Sequence, residues 1–506
     1  MGETKNKSSP QLVPPRQLLK PEAPPARLDS PSFLRHRNRM RTFDFVVLGG
    51  GSAGYAAART ATALGLSTAV IDGADELGGL CILRGCMPSK TLIATANRAR
   101  TLRHCANFAI NGSYSGISTE QLKKRRDFLI ADFAGYRQTQ LSSGKFTLLR
   151  GTARFSSEKT LAVALRDGGA EEITFRTALI AAGSRIQIPD LPGLANSGYW
   201  TSDDVLKVPE KIPASLIVLG GGAIALELAH FFEGIGTQVT VIQRSPQVLR
   251  GCDADVAAVV ENASRERGIT LHTDTRLLSV AKENGTFAVR YDHSGHGERT
   301  ATAEQLLVAT GRLPATAGLG AEEIGLLAPS GRVQTDLRQQ TPLPHIFAAG
   351  DVCGPLDVVH LAVQQGEIAA RNAARLLGKI SSAPEARSDH ALLFGVFTEP
   401  EVAQVGLTEA QAKAQNLPVR VATYPFNDHG KSMVEGALHG FVKLLADPQG
   451  KLVGAAVVGP HATELIHEMA LAVHLGLTAA QVATAPHYHP TLSEIWTYPA
   501  EELADL

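Results

Sequence analysis

Cys81 and Cys86 stand with four residues between them in the stretch Gly78-Gly79-Leu80-Cys81-Ile82-Leu83-Arg84-Gly85-Cys86-Met87-Pro88-Ser89-Lys90. On an unbroken helix, rising about 1.5 Å per residue, they would lie roughly 7.5 Å apart along the axis. A disulfide needs Cα atoms within about 4.4–6.8 Å. A closed pair therefore requires the helix to start irregularly, with Gly79 and Gly85 supplying the backbone freedom. Two thiols at a helix N-terminus suit redox exchange, because the helix dipole favours a thiolate. Spacing alone leaves two unrelated buried thiols as the other reading. A dithiol that exchanges with an external disulfide also needs a group that takes and returns a proton. His489 offers one near neutrality, and Pro490 after it favours an extended backbone there. Glu494, five residues on, could hold the other ring nitrogen. His487 has no such support and reads as a packing residue.

Ordered elements must carry these side chains, and the chain supplies one unit twice. Thr42-Phe43-Asp44-Phe45-Val46-Val47-Leu48 has the pattern of a buried strand and runs into Gly49-Gly50-Gly51-Ser52-Ala53-Gly54. An Ala-rich helix follows to about Leu64, then a second strand ending at Asp72. This is G-x-G-x-x-G in its strand–turn–helix setting. Gly49 makes the tight turn, Gly51 lets backbone approach a pyrophosphate, and Gly54 packs helix on strand. Ser52 and Ala53 open the helix whose N-terminus faces the phosphate charge. Asp72 stands where a carboxylate accepts from a ribose hydroxyl.

The unit recurs at Leu216-Ile217-Val218-Leu219, which leads into Gly220-Gly221-Gly222-Ala223-Ile224-Ala225, a G-x-G-x-x-A form. A helix and the strand Gln238–Ile242 then lead to Gln243, in the same register as Asp72. Here the carboxylate is missing. A neutral Gln243, followed by Arg244 with Arg250 nearby, removes the group that repels a 2′-phosphate and adds cations that could hold one. The first unit is thus expected to bind an adenine dinucleotide with a free 2′-hydroxyl. The second is expected to bind NAD or NADP, leaning toward NADP. Solvated surface arginines are the other reading of Arg244 and Arg250.

Composition bounds the rest. A chain of 506 residues should hold three or four domains. Lys plus Arg and Asp plus Glu number 49 each, so nothing global points to nucleic acid as a partner. No apolar run approaches the roughly 18 residues of a membrane span. Five cysteines do not make a disulfide scaffold. They fit a reducing, cytoplasmic setting with one working pair and three bystanders, Cys105, Cys252 and Cys353. Residues 1–41, rich in Pro, Ser and Arg, are expected to be a disordered tail, with Met40 as a possible alternative start.

The two fingerprints, the Cys81–Lys90 stretch, Ala309-Thr310-Gly311-Arg312, Ala348-Ala349-Gly350-Asp351 and the C-terminal His489–Glu494 motif occur in one order. In that order the chain resembles the class I pyridine nucleotide–disulfide oxidoreductases, which include dihydrolipoamide dehydrogenase, glutathione reductase and mercuric reductase. The likeness covers nearly everything after residue 41. It implies an α/β fold with two Rossmann-like dinucleotide-binding domains, the NAD(P) domain inserted in the FAD domain, plus an α+β C-terminal dimerisation domain. The implied divisions are 42–190 and 313–385 for FAD, 191–312 for NAD(P), and 386–506 for dimerisation. FAD becomes the first cofactor and a homodimer the catalytic unit, with His489 and Glu494 reaching the cysteines of the other subunit. Cys86 would be the sulfur nearest the flavin and Cys81 the one that exchanges with substrate. Lys90 is similar to the family's lysine beside the flavin, with Glu227 as its carboxylate partner. Gly79, Ala153, Gly183, Asp351 and Gly311 fall where the family's backbone or carboxylate lines the cofactor sites.

Two departures matter. The family usually has Thr before the first cysteine and Asn two after it; here they are Leu80 and Leu83. Gln243-Arg244 also departs from dihydrolipoamide dehydrogenase, which the C-terminal motif most resembles. No cysteine follows Cys353, which excludes a C-terminal metal-handing pair. The expected activity is a dihydrolipoamide dehydrogenase-like relay between NAD(P)(H), FAD, Cys81–Cys86 and a small-molecule or protein-bound dithiol or disulfide. The alternatives are a flavin-dependent NAD(P)H oxidase, transhydrogenase or quinone reductase, or a docked redox subunit of a lipoyl-bearing 2-oxo acid dehydrogenase complex. No metal, nucleic acid or membrane is expected.

Overall fold

The computed structural model describes residues 41–505. The expectations for the tail and for Met40 lie, up to residue 40, outside the described residues. Arg41 does not belong to a tail: it opens the first strand, pairing in register with Ile173.

In chain order the first half contains β1 (Arg41–Leu48), α1 (Ser52–Ala63), β2 (Thr68–Asp72), α2 (Gly79–Arg84), α3 (Cys86–Arg103) and α4 (Thr119–Leu141). There follow β3 (Thr147–Ser157), β4 (Thr160–Leu165), β5 (Ala170–Ile180) and β6 (Ser184–Ile186). The middle contains β7 (Trp200–Thr201), α5 (Ser202–Val205), β8 (Ser215–Leu219), α6 (Ala223–Gly234), β9 (Gln238–Ile242), α7 (Ala254–Glu266) and β10 (Thr270–His272). Next come β11 (Thr275–Glu283), β12 (Thr286–His293), β13 (Gly297–Ala303), β14 (Gln305–Val308), β15 (Arg312–Pro314), β16 (Ile346–Ala348) and α8 (Val359–Leu376).

Parallel pairings join β3, β2, β1, β5 and β16 side by side, and β4 closes a small antiparallel meander with β3 and β5. Every residue of β2 is buried, as expected of a parallel strand covered on both faces. A second parallel sheet runs β10-β9-β8-β14-β7. The chain leaves the first sheet through β6 and returns through β15, and these two strands pair antiparallel. On return, α8 packs on α1 so closely that a Cβ at Gly366 would stand 2.3 Å from the Ala53 carbonyl oxygen. A third sheet, antiparallel, is built from Leu393–Val396, Glu401–Gly406, Leu452–Gly459, Phe441–Ala446 and Arg420–Pro425. The helix Ala462–Leu475 packs on it, over a core that includes the fully buried Trp496.

Two ties hold the dithiol helix in place, and a third joins the domains behind it. A Cβ at Gly234 would lie 2.7 Å from that of Ala96, so α3 and α6 meet at near backbone distance. Beside that contact, Arg100 on α3 pairs with Glu233 on α6 at 2.9 Å. Farther out, the buried Lys443 of the third sheet sits among Asp253, Asp255 and Glu409, binding the second sheet's domain to the third. Among the described residues no helix is long and apolar enough to cross a membrane.

Candidate functional site

A cleft of about 910 Å³ is lined by the first glycine turn, the dithiol and the start of α6. That volume lies in the range of cofactor sites. Of the residues expected there, Gly49, Gly51, Ser52, Ala53, Asp72, Gly79, Cys81, Cys86, Lys90, Ala153, Gly183, Ala223, Ile224, Glu227 and Asp351 line it. The turn leaves room by being bare of side chains. Gly49 has φ +107°, and a Cβ there would meet the Ala181 carbonyl oxygen at 2.5 Å. Gly79, φ +77°, would put a Cβ 2.8 Å from Gly51 Cα, so the two turns share one backbone contact. A cradle of this kind, opening on the N-terminus of α1, fits a pyrophosphate. Gly54 does not line the cleft. A Cβ there would come within 1.8 Å of the Gly49 carbonyl oxygen, so its part is to let α1 lie on β1.

The buried Asp72 carboxylate accepts from the backbone N–H of Gly50 at 2.8 Å and of Ala74 at 2.9 Å. Asp351 accepts from Ser184 Oγ at 2.5 Å, and burial pushes its carboxyl upward. Arg312 in turn donates to that hydroxyl through Nε at 2.8 Å. Ser184 carries no motif, and only its place after the β5 turn could have suggested it.

The helix carrying the two cysteines is broken at Gly85, between α2 and α3. A Cβ at Gly85 would lie 2.9 Å from the Leu80 carbonyl oxygen and 3.0 Å from Cys81 Cα. The irregular start expected from the spacing is therefore present, one residue before Cys86. Both cysteines are half-buried free thiols. The Cys81 thiol is pushed up by its hydrogen bond to Cys86 and then by burial. Cys86 is lowered to about 7 by the same hydrogen bond, with the Lys90 charge helping against burial. The hydrogen bond thus favours the proton on Cys81 and the thiolate at Cys86.

Lys90, on the same face of α3 as Cys86, reaches the Glu227 carboxylate at 2.8 and 3.1 Å. Its ammonium also lies 4.3 Å from the ring centroid of Phe397, whose N–H donates to Glu227 at 3.1 Å. Phe397 was not legible as part of this site, because it comes from the third domain.

His489 Nδ1 lies 3.0 Å from Glu494 Oε2, with the imidazole 80% exposed. Within this chain it does not line the cleft that holds Cys81. The other oxygen of Glu494 faces Nε2 of the fully buried His429 at 3.5 Å, and His429 Nδ1 contacts Ser432 Oγ at 2.8 Å. His487 corrects the sequence reading: it is not a mere packing residue. Its Nε2 meets Glu468 Oε1 at 2.7 Å and its Nδ1 meets the Ala485 carbonyl at 3.0 Å. The carboxylate it meets lies nineteen residues upstream, on the helix Ala462–Leu475.

The second turn repeats the first. Gly220 has φ +120° and would press a Cβ to 2.3 Å from the Ala309 carbonyl oxygen, while Gly222 is open. Ala225 is fully buried on α6. The Gln243 amide donates to the Gln247 carbonyl at 3.3 Å and accepts from the Arg244 N–H at 3.1 Å. Arg244 and Arg250 are exposed and, among the described residues, make no ion pair. Gly311, φ +121°, accepts from the Gln187 N–H at 3.0 Å.

Residues 43–366 match the family described as pyridine nucleotide-disulphide oxidoreductase, and residues 394–500 match the dimerisation domain of that name. The chain is 34% identical over 468 residues to a dihydrolipoyl dehydrogenase of Thermus scotoductus, covering 92% of this chain and 98% of that one. It is 33% identical over 465 residues to the dihydrolipoyl dehydrogenase of Bacillus subtilis, covering 89% and 96%. LpdA of Mycobacterium tuberculosis superposes with a TM-score of 0.81 at 29% identity, covering 92% of this chain and all of that one. The HOCl-induced flavoprotein disulfide reductase RclA of Escherichia coli gives 0.79 at 25%, with the same coverage.

Proposed function

The chain belongs to the pyridine nucleotide-disulphide oxidoreductase family, and from that premise we propose which residues do which part of its work. It is an FAD-containing oxidoreductase of dihydrolipoyl dehydrogenase type that acts on a sulfur group, and it carries the family's dimerisation domain. FAD, when bound in the cleft, supplies the step that turns a nicotinamide hydride into an electron pair for the dithiol. Gly49, Gly51, Ser52, Ala53, Asp72, Gly79, Ala153, Gly183 and Asp351 hold that cofactor. Lys90, aimed by Glu227, stabilises negative charge beside Cys86.

In disulfide reduction, the proton on Cys81 leaves to the partner subunit's His489, and the Cys81 thiolate attacks one substrate sulfur. The substrate S–S bond breaks as the Cys81–substrate bond forms, and the departing thiolate takes the proton back from the same imidazole. Cys86 then attacks Cys81 sulfur, releasing the second substrate thiolate and closing the Cys81–Cys86 disulfide. Read backwards, the same steps oxidise a dithiol. Glu494 holds Nδ1 of the imidazole, which leaves Nε2 to carry the proton.

The homodimer is part of the proposal, because His489 is exposed and outside the cleft in one chain. Exposed Leu471 and Leu475, one turn apart on the helix Ala462–Leu475, and Tyr488 offer an apolar face for a second copy. Gly220, Gly222, Ala223, Ile224, Ala225, Gln243, Arg244 and Gly311 would form the nicotinamide dinucleotide site, with NADP(H) favoured by Gln243 and Arg244. The substrate is a small-molecule or protein-borne dithiol or disulfide, the lipoyl group of a 2-oxo acid dehydrogenase complex among them.

The break at Gly85, which brings Cys81 and Cys86 into hydrogen-bonding reach beside Lys90, carries this reading. Cys81→Ser tests it. Disulfide turnover should fall by at least about 10³-fold, while reduction of ferricyanide by the nicotinamide continues. Retention of disulfide turnover would remove the assignment.

A further inference from the structure

Among the described residues, Arg137 has no hydrogen-bond or ion-pair partner where every other sheltered arginine has one. It lies on α4, which crosses the short helix carrying Cys81: Leu83 packs with Ile130 and Ala134, and the Gln138 amide donates to the Leu77 carbonyl at 3.4 Å. Its guanidinium sits 4.2 Å from the ring centroid of Tyr55, in the first turn and a half of α1. Arg137 thus lies over Tyr55 near the start of α1, on the helix that crosses the segment carrying Cys81.

Among the described residues Arg137 is the one arginine that is not exposed and has neither hydrogen bond nor ion pair. Its Nε and Nη1 are buried without an acceptor. Burial lowers its pKa. Arg59, a like charge that acts on it, is already paired with Glu367 at 2.6 Å. A sheltered cation without an anion is costly, and among the described residues no carboxylate compensates it. Leu80 and Leu83 offer no polar side chain beside the dithiol, whereas Arg137, on the helix packed against that segment, has unpaired donors.

We propose that Arg137, braced on Tyr55, is the anion-binding arm of the disulfide-exchange site, and that the substrate is a small disulfide or dithiol carrying a carboxylate. A planar guanidinium takes a carboxylate by two parallel hydrogen bonds, and the aromatic face behind it fixes the plane. The inference rests on Cys81 as the exchanging thiol.

Lipoate and lipoamide make the test, since they share one dithiolane and one chain and differ in the charge at its end. With the full-length flavin-loaded protein, kcat/KM for lipoate should exceed that for lipoamide by about tenfold or more, the range of a hydrogen bond to a charged group. Arg137→Met should lower the acid-to-amide ratio by about tenfold, and Arg137→Lys, which keeps a point charge, should retain part of it. Equal use of the two substrates by the wild type, or an equal loss on both in Arg137→Met, overturns the proposal. So does an unchanged ratio with dissociation of the dimer by light scattering, which would assign the guanidinium to a carboxylate of the second copy. A wild type that reduces ferricyanide but neither lipoate nor lipoamide would remove the role of Cys81, and this arm with it.

Discussion

The two glycine turns are nearly the same object with different side chains at the end of the second strand. Gly49 and Gly220 take φ of +107° and +120°, and each would drive a Cβ into the carbonyl oxygen of a neighbouring strand's end. Gly51 and Gly222 both precede their helices in extended backbone. A Cβ on Gly50 would stand 2.9 Å from the Asp72 carboxylate, and one on Gly221 would stand 2.9 Å from the Gln243 side chain. The register is therefore shared. At the first turn a buried carboxylate is tied down by two backbone N–H groups; at the second an amide turns to its own loop, flanked by exposed arginines. Backbone geometry makes a place for a pyrophosphate, and the side chain at the strand end chooses which nucleotide follows.

The turns differ also in how tightly helix meets strand, and that contrast gives the largest expected effect. Gly54→Ala must force α1 off β1, at a cost of about 3 kcal/mol or more. Flavin content after gel filtration and the Tm should both collapse. Ala225→Gly, the reverse change at the matching position, should cost only about 1 kcal/mol. Equal effects would break the comparison.

Next in size is nucleotide choice. Gln243→Glu should lower the NADPH-to-NADH ratio of kcat/KM by about tenfold or more, the scale of a charge-assisted hydrogen bond, and Arg244→Ala should lower it in the same direction. Asp72→Asn should leave that ratio alone and instead speed loss of FAD during dialysis. A wild type that uses NADH and NADPH equally well would contradict the reading of Gln243 and Arg244.

The dithiol is fastened to both turns, through Gly79 to the first and through Lys90–Glu227 to the second. In the reduced protein Cys86, lowered from 9.0 to about 7, is a thiolate above that pH and is protonated as the pH falls through it. The rate of its alkylation should follow that titration. Cys81→Ala, which removes the largest cause of the shift, should move the midpoint up more than Lys90→Met does. The smallest effect is expected at His429, behind Glu494. Loss of the imidazole that faces Glu494 at 3.5 Å in His429→Ala should slow disulfide turnover by about threefold, of the order of a weak polar contact. His429→Gln, with a donor in the same place, should recover most of it.

Much of this was legible in the sequence because it depends on local backbone. The two fingerprints and the break at Gly85 are each written within a few residues, since a tight turn or a close approach admits only glycine there. His489 and Glu494 could be paired from their spacing and Lys90 with Glu227 only by resemblance; both pairs are in contact. What could not be read depends on contacts between distant segments. Phe397, His429, Glu468 and Arg137 carry no motif, and their significance lies in which neighbour they face or, for Arg137, lack. His487 was misread for the same reason, its partner lying on another helix.

The account stands on a disulfide that stores an electron pair next to a flavin, and counting electrons tests that directly. Anaerobic reductive titration of the flavin-loaded protein should consume about four electrons per chain, two for the flavin and two for Cys81–Cys86, and about two in Cys81→Ser. Uptake of only about two electrons by the wild type would contradict it.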